Sequence, residues 1–242
     1  GKNLRGVDVW GPVFRLEFLA KCYKKYAFDS KKEAIKARAA ETLQELAKVA
    51  CEDGGWAYYT FVKQGITFVT ASGIVAMIEA KAAGLPFDPA MISKAAETVK
   101  KVKQGPGAYA YRPGVQEAPV GCAGRSSLCE LALIMAGQPQ GGMPVAVDNF
   151  LKYRHLLEAI QGKAGTHIGE GKTAPYYYLF GHYWTARAIK KLPKSSQVVA
   201  LKKICDEILL DQGSSGEFWD WPLHKDHKVC GTALGALCLY QI

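Results

Sequence analysis

What the sequence lacks narrows its reading first. No stretch approaches the roughly 18 consecutive apolar residues of a membrane-spanning helix, which excludes an α-helical span. None of the seven cysteines stands at CxxC spacing, and an odd count argues against a complete disulfide framework, with one or two bridges left open. Arginine-rich tracts and interleaved aromatic and basic residues are missing, so nucleic acid is not an expected partner. The run at 137–142 (GQPQGG) is not a phosphate loop, because neither the strand nor the lysine such a loop needs is present. No signal peptide is recognisable, which with the missing span leads us to expect a soluble protein. The first residue is Gly1 rather than Met, and structured-looking sequence follows at once. A trimmed N-terminus, with a lost leader or repeat, is therefore expected.

What is present suits one large core. The 242 residues are 49% hydrophobic and 22% charged, on the long side for the single domain expected over 1–242. Lysine and arginine number 31 against 22 acidic residues, a net charge of +9. The lysines concentrate in the amphipathic segments 31–48, 94–103 and 190–203, which read as solvated outer faces. Peripheral contact with an anionic membrane is the alternative use of that charge. Cys129, Cys205 and Cys238 lie in apolar helical runs and read as small buried hydrophobes.

Helical segments of two kinds alternate along the chain. Residues 11–26 carry an apolar face at Phe14, Phe18, Leu19 and Cys22, with Pro12 in the first turn. Residues 31–50 follow, with Ser30 and Glu33 at capping-box spacing. The apolar segments recur at 67–83, 123–137, 175–191 and 229–242, and the amphipathic ones at 88–103, 145–161 and 195–211. A short Gly–aromatic element ends each amphipathic helix. Its instances are Asp53-Gly54-Gly55-Trp56, the 105–109 run ending in Tyr109, and the 212–219 run containing Phe218, with a weaker one at 165–169. Trp56 and Tyr109 are 53 positions apart, and Tyr109 and Phe218 are 109 apart, or two steps of about 54. Two helices per period of about 50 residues define a helical-hairpin array. Gly permits the turn, and the aromatic wedges between hairpins. An apolar layer and a wet layer, repeated, close as an inner and an outer ring, or continue as an open solenoid.

The residues that carry these features also resemble a family. The run Gly55-Trp56-Ala57-Tyr58, the string Thr70-Ala71-Ser72-Gly73 and the closing 229–237 segment (VCGTALGAL) resemble the prenyltransferase and squalene-oxidase repeats. These are shared by squalene-hopene cyclases and protein prenyltransferase β subunits, and by short bacterial proteins that the chain resembles most. Gln212 before Gly216 is similar to the glutamine–tryptophan motif of the cyclases. The resemblance implies an all-α fold, a double-layered α/α toroid. About five inner and four outer helices are expected, an odd count consistent with a trimmed end. It also implies catalytic groups that do not carry over. The Asp-x-Asp-Asp cluster by which cyclases protonate substrate does not occur; Asp148 and Asp220 are isolated, and Asp206-Glu207 sits on an amphipathic helix. The Asp-x-Cys pair and histidine that hold zinc in the prenyltransferases are missing from the corresponding places near Pro175 and Cys230.

Several local groupings remain, each with an ordinary explanation beside the chemical one. His224, Asp226, His227 and Cys230 offer a zinc donor set at an unfamiliar spacing, or a merely solvated loop. His182 and Tyr178 share a helix face, so His182 is a packing residue or an acid–base group. The aromatics 176–184 are too many for one buried face, and some are expected to line an opening. Arg125 opens a buried helix and needs Glu130, Asp53 or an anionic ligand.

The expected site is a cavity rim at the N-termini of the apolar helices: Trp56, Tyr109, Tyr111, Arg125, His167, Tyr178, His182 and His227. The leading expectation is a scaffold that binds a small apolar ligand or a protein partner, without cofactor and without either catalytic apparatus. An isoprenoid- or lipid-acting enzyme and a carbohydrate-active enzyme, such as a polysaccharide lyase acting on a glycan, are the alternatives.

Overall fold

A computed structural model of the chain describes residues 9–25, 30–59, 61–222 and 227–242. Among them are nine helices: α1 (Trp10–Lys25), α2 (Lys32–Lys48), α3 (Thr67–Ala82), α4 (Pro89–Lys101), α5 (Pro119–Met135), α6 (Met143–Glu158), α7 (Tyr177–Ile189), α8 (Lys194–Leu210) and α9 (His227–Leu239). One ladder joins β1 (Lys103–Gly105) to β2 (Ala108–Tyr109). No helix among the described residues is long and apolar enough to cross a membrane. The residues group into two compact units. One holds the chain up to Lys103 with 110–115 and 132–139; the other holds 104–109, 116–131 and 140–242.

In the first unit α3 packs against α1 and α4, and α1 also against α2. Twelve of the sixteen residues of α3 are buried, as its small apolar composition requires. Helix α4 starts where Asp88-Pro89 places it: the Asp88 carboxylate accepts from the Ala90 and Met91 amides at 2.8 and 3.2 Å. Helix α2 has Lys31 as its N-cap, already in the α region. One expectation is corrected. Helix α1 buries Val13, Leu16, Leu19 and Ala20; of the expected face Leu19 is buried, Phe14 and Cys22 are half-buried, and Phe18 is 64% exposed. At 100° per residue Phe18 lies roughly 140° round the helix from Val13, so both cannot face inward.

In the second unit α7 packs against α6, α8 and α9. It is buried on all sides rather than along one face. Glycines make this close packing feasible. A Cβ on Gly124 of α5 would stand 2.7 Å from the Tyr177 side chain, and one on Gly181 would stand 2.5 Å from the Phe150 ring. Helix α9 behaves differently from the other apolar helices. It buries Gly231, Leu234, Gly235 and Cys238, while Val229 at its start is 73% exposed. The two fully enclosed thiols, Cys129 and Cys238, are pushed up by burial, Cys238 to about 12. Cys205 is only half-buried.

The Gly–aromatic turns repeat at the level of single hydrogen bonds. Around Trp56, the Cys51 amide donates to the Gly55 carbonyl and the Gly54 amide to that of Cys51, both within 2.9 Å. The Trp56 amide donates to Thr70 Oγ1 at 3.0 Å, and a Cβ on Gly73 would sit 2.9 Å from the indole. Around Phe218, 162 positions later, each bond recurs: Gly213 to Glu217, Gly216 to Gly213, Phe218 to Thr232 Oγ1. Gly235 again lies under the ring, with a hypothetical Cβ 2.6 Å away. Gly54 and Gly216 both need positive φ, +83° and +86°. The separation is three steps of 54. The 105–109 element is built differently, as the β1–β2 ladder, and 165–169 leads into an isolated bridge between Ile168 and Thr173.

Candidate ligand site

The sequence-selected residues divide between the units. In the first, Trp56 is fully buried, and its Nε1 donates to the Leu46 carbonyl at 2.9 Å. Tyr111 is half-buried, 6.0 Å from the Phe68 ring, and its carbonyl accepts from Thr67 Oγ1. In the second, Tyr109 is fully buried and its hydroxyl donates to Glu130 Oε1 at 2.8 Å. Burial, with the Glu130 charge beside it, pushes that phenol far up. His167 is exposed on a turn with φ +58°. His224 and Asp226 lie outside the described residues; Cys230 is exposed, and His227 meets the Trp221 ring edge-on at 4.6 Å.

Arg125 is 2% exposed. Its carboxylate partner is Glu117, from the loop before α5, rather than the Glu130 or Asp53 expected. Its Nε donates to the Tyr109 carbonyl and its Nη1 to that of Gly121, each at 2.9 Å. Tyr177 covers the guanidinium from 5.8 Å. Desolvation works against the cation, but Tyr177 and Glu117 outweigh it and the pKa is raised. The fork is thus filled by protein, which makes Arg125 a structural cation and holds Tyr177 in place.

His182 is fully buried, Nδ1 donating to the Tyr178 carbonyl at 2.8 Å and Nε2 facing Glu207 Oε2 at 3.4 Å. Glu207 is also bridged by Arg154. Burial pushes the Glu207 carboxyl up, yet the His182 and Arg154 hydrogen bonds prevail and hold it below its ordinary value. Tyr178 donates its hydroxyl to Asp211. This polar set ties α7 to α6 and α8.

A row of rings runs along the flank of α7. Tyr177, Phe180 and Trp184 recur at i, i+3 and i+7, with centroids 6.1 and 6.0 Å apart. The half-buried Tyr176 and Trp221 extend it, Tyr176 lying 4.6 Å from Tyr177 and 5.1 Å from Trp221. The five aromatics Tyr177, Tyr178, Phe180, Tyr183 and Trp184 are each 5% exposed or less, so Tyr176 alone of the 176–184 set is appreciably open. Among the described residues, Nε1 of Trp184 and of Trp221 are buried donors without a hydrogen-bond partner. Buried indole N–H groups usually find an acceptor.

Beside this row stands Asp220, which accepts the Leu179 amide at 2.9 Å and so caps α7 from another part of the chain. Burial pushes its carboxyl up to about 7, against the backbone amides that favour the ionised form. The folded pKa is raised above the unfolded value of about 3.9, so the stability it contributes is fully present below about pH 4. That stability is lost as pH rises through about 7. Asp220→Asn keeps the acceptor and removes the titration. Urea unfolding of the two proteins is expected to run parallel below about pH 4 and to diverge above it. The variant should gain on the order of 2 kcal/mol by pH 8, half the full linkage value because Asn buries an amide of its own. A gap constant with pH would contradict this.

Alternating buried and amphipathic helices joined by aromatic-on-glycine turns place the chain with the α/α toroids. No protein-family model matches the sequence, and no curated protein does. Solved structures do match. The chain is similar to a variant of MstE, a type II terpene cyclase from Scytonema, in complex with geranylgeranyl dihydroxybenzoate (substrate), with TM-score 0.55 and 14% identity over 96% of this chain and 61% of that one. It is similar also to a second variant of that enzyme in complex with merosterolic acid A (product), with TM-score 0.53 and 14% identity over 96% and 62%. The fold is therefore all-α and terpenoid cyclase-like, of the α/α toroid class. The chain spans about three-fifths of the length of those cyclases. Nothing in the likeness favours a polysaccharide lyase.

Proposed function

We propose that this cyclase-like scaffold binds an apolar isoprenoid-type ligand bearing one polar oxygen, and holds it without cyclising it. The observation that carries the reading is the row of rings in the second unit with its two partnerless indole donors. Rings accommodate an unsaturated hydrocarbon chain, and an orphan N–H gains most from an oxygen acceptor. Half-buried Tyr176 and Trp221 form the entrance, and Trp184 lies at the inner end. Support for the ligand class comes from the similar cyclase, whose complex contains geranylgeranyl dihydroxybenzoate. Support for binding without turnover comes from the sequence, which has no Asp-x-Asp-Asp string.

Equilibrium dialysis with tritiated geranylgeraniol tests this. One saturable equivalent is expected, and Trp184→Phe should weaken it about fivefold to tenfold through the lost hydrogen bond. Trp219→Phe, whose Nε1 is already engaged by the Trp221 carbonyl at 2.6 Å, should leave affinity unchanged. Absence of saturable binding, or full affinity in Trp184→Phe, overturns the reading.

A further inference from the structure

We propose that the outer face of α8 docks on the surface of an anionic lipid bilayer. Helix α8 buries Gln197, Ala200, Ile204 and Ile208. Its other side would ordinarily be polar. Instead Val198, Val199, Leu209 and Leu210 are 73, 63, 49 and 85% exposed. They form two pairs, one near each end of the helix and roughly 17 Å apart at 1.5 Å per residue. Lys202 and Lys203 are exposed between the pairs, and Lys190, Lys191 and Lys194 are exposed at the leading end. The acidic groups of α8 offset one of these five lysines and leave Lys190, Lys191, Lys194 and Lys203. Asp206 is bound to Lys202 at 2.6 Å, while Glu207 is directed to Arg154 and His182. The face is therefore apolar and cationic together.

That combination selects the occupant. A nucleic acid or other soluble polyanion would use the lysines and gain nothing from four exposed aliphatic side chains. A bilayer interface uses both. The Val and Leu side chains enter the headgroup–acyl boundary, and the ammonium groups stay at the level of the anionic headgroups. This inference is independent of the ligand reading, since none of these side chains belongs to the ring row.

Vesicle co-sedimentation tests it. The whole chain should sediment with phosphatidylcholine vesicles containing about 30 mol% phosphatidylserine at ~0.05 M salt, and not with pure phosphatidylcholine. Binding should largely vanish at ~0.5 M salt. The double variant Val199→Ser/Leu210→Ser should bind at least about tenfold less tightly. Lys194→Gln/Lys203→Gln should bind roughly 25-fold less tightly, at about fivefold per charge. Lys36→Gln/Lys101→Gln, two exposed lysines on α2 and α4, should stay within about twofold of the wild type. All these positions are on the surface, so the fold survives. No sedimentation with anionic vesicles overturns the proposal. So does undiminished binding by Val199→Ser/Leu210→Ser, which would reduce the interaction to simple polyanion attraction. Equal weakening in the α2/α4 control overturns it too, because net charge rather than this face would then be responsible.

Discussion

Trp56→Ala is expected to destabilise the first unit by about 3–5 kcal/mol, and Phe218→Ala the second by a comparable amount. Both rings are essentially enclosed, at 0 and 2% exposure. Each lies on a glycine of the following helix, Gly73 or Gly235, with no room for a methyl group between. Each has its backbone amide held by the threonine three residues before that glycine, Thr70 or Thr232. Removing the ring opens a cavity under a turn whose backbone stays fixed. For Trp56 it also leaves the Leu46 carbonyl without its donor. At about 2–4 °C per kcal/mol, thermal unfolding followed by circular dichroism should shift down by about 6–20 °C. Adding Gly73→Val to Trp56→Ala should recover part of the loss, because the new side chain enters the vacated space. A loss under about 1 kcal/mol in both single variants would mean that the turns are ordinary loops.

Glu117→Ala is expected to cost about 3 kcal/mol, measured by urea unfolding. The reason is the cation it leaves behind. Arg125 has 2% exposure, and its other contacts include two carbonyls, a thiol and a ring face. A buried charge that loses its counterion is more damaging than the same pair removed together. Arg125→Met combined with Glu117→Ala should therefore cost about 2 kcal/mol less than the sum of the two single changes. Strict additivity would show that the ion pair is energetically idle.

The helices were largely readable from the sequence because composition and position agree there. The run 67–83, small and apolar over most of its length, has to be buried, and Asp88-Pro89 offers an N-cap followed by a first-turn proline. The turn repeat was readable as glycine followed by an aromatic. Its stronger signature is the shared Thr-Ala-x-Gly string at 70–73 and 232–235, which supplies both the hydroxyl and the space under the ring. Choices of partner were not readable. Arg125 plainly needs a carboxylate, and the sequence offers many; only the folded loop brings Glu117 to it. Asp220 looks isolated because the helix that it caps starts 43 residues earlier. Trp221 is hard to read for a similar reason: it shares its loop with Phe218 and Trp219, and its neighbours Tyr176 and His227 come from the N-cap of α7 and from α9.

The role we propose is that of a terpenoid cyclase-like scaffold that retains an isoprenoid without transforming it. The most direct measurement is to load the protein with geranylgeraniol, remove the free ligand, extract what remains bound and identify it by mass spectrometry and chromatography. About one equivalent of ligand per chain should be recovered as unaltered acyclic alcohol. No retained ligand, or recovery of a cyclised product, overturns the proposed role.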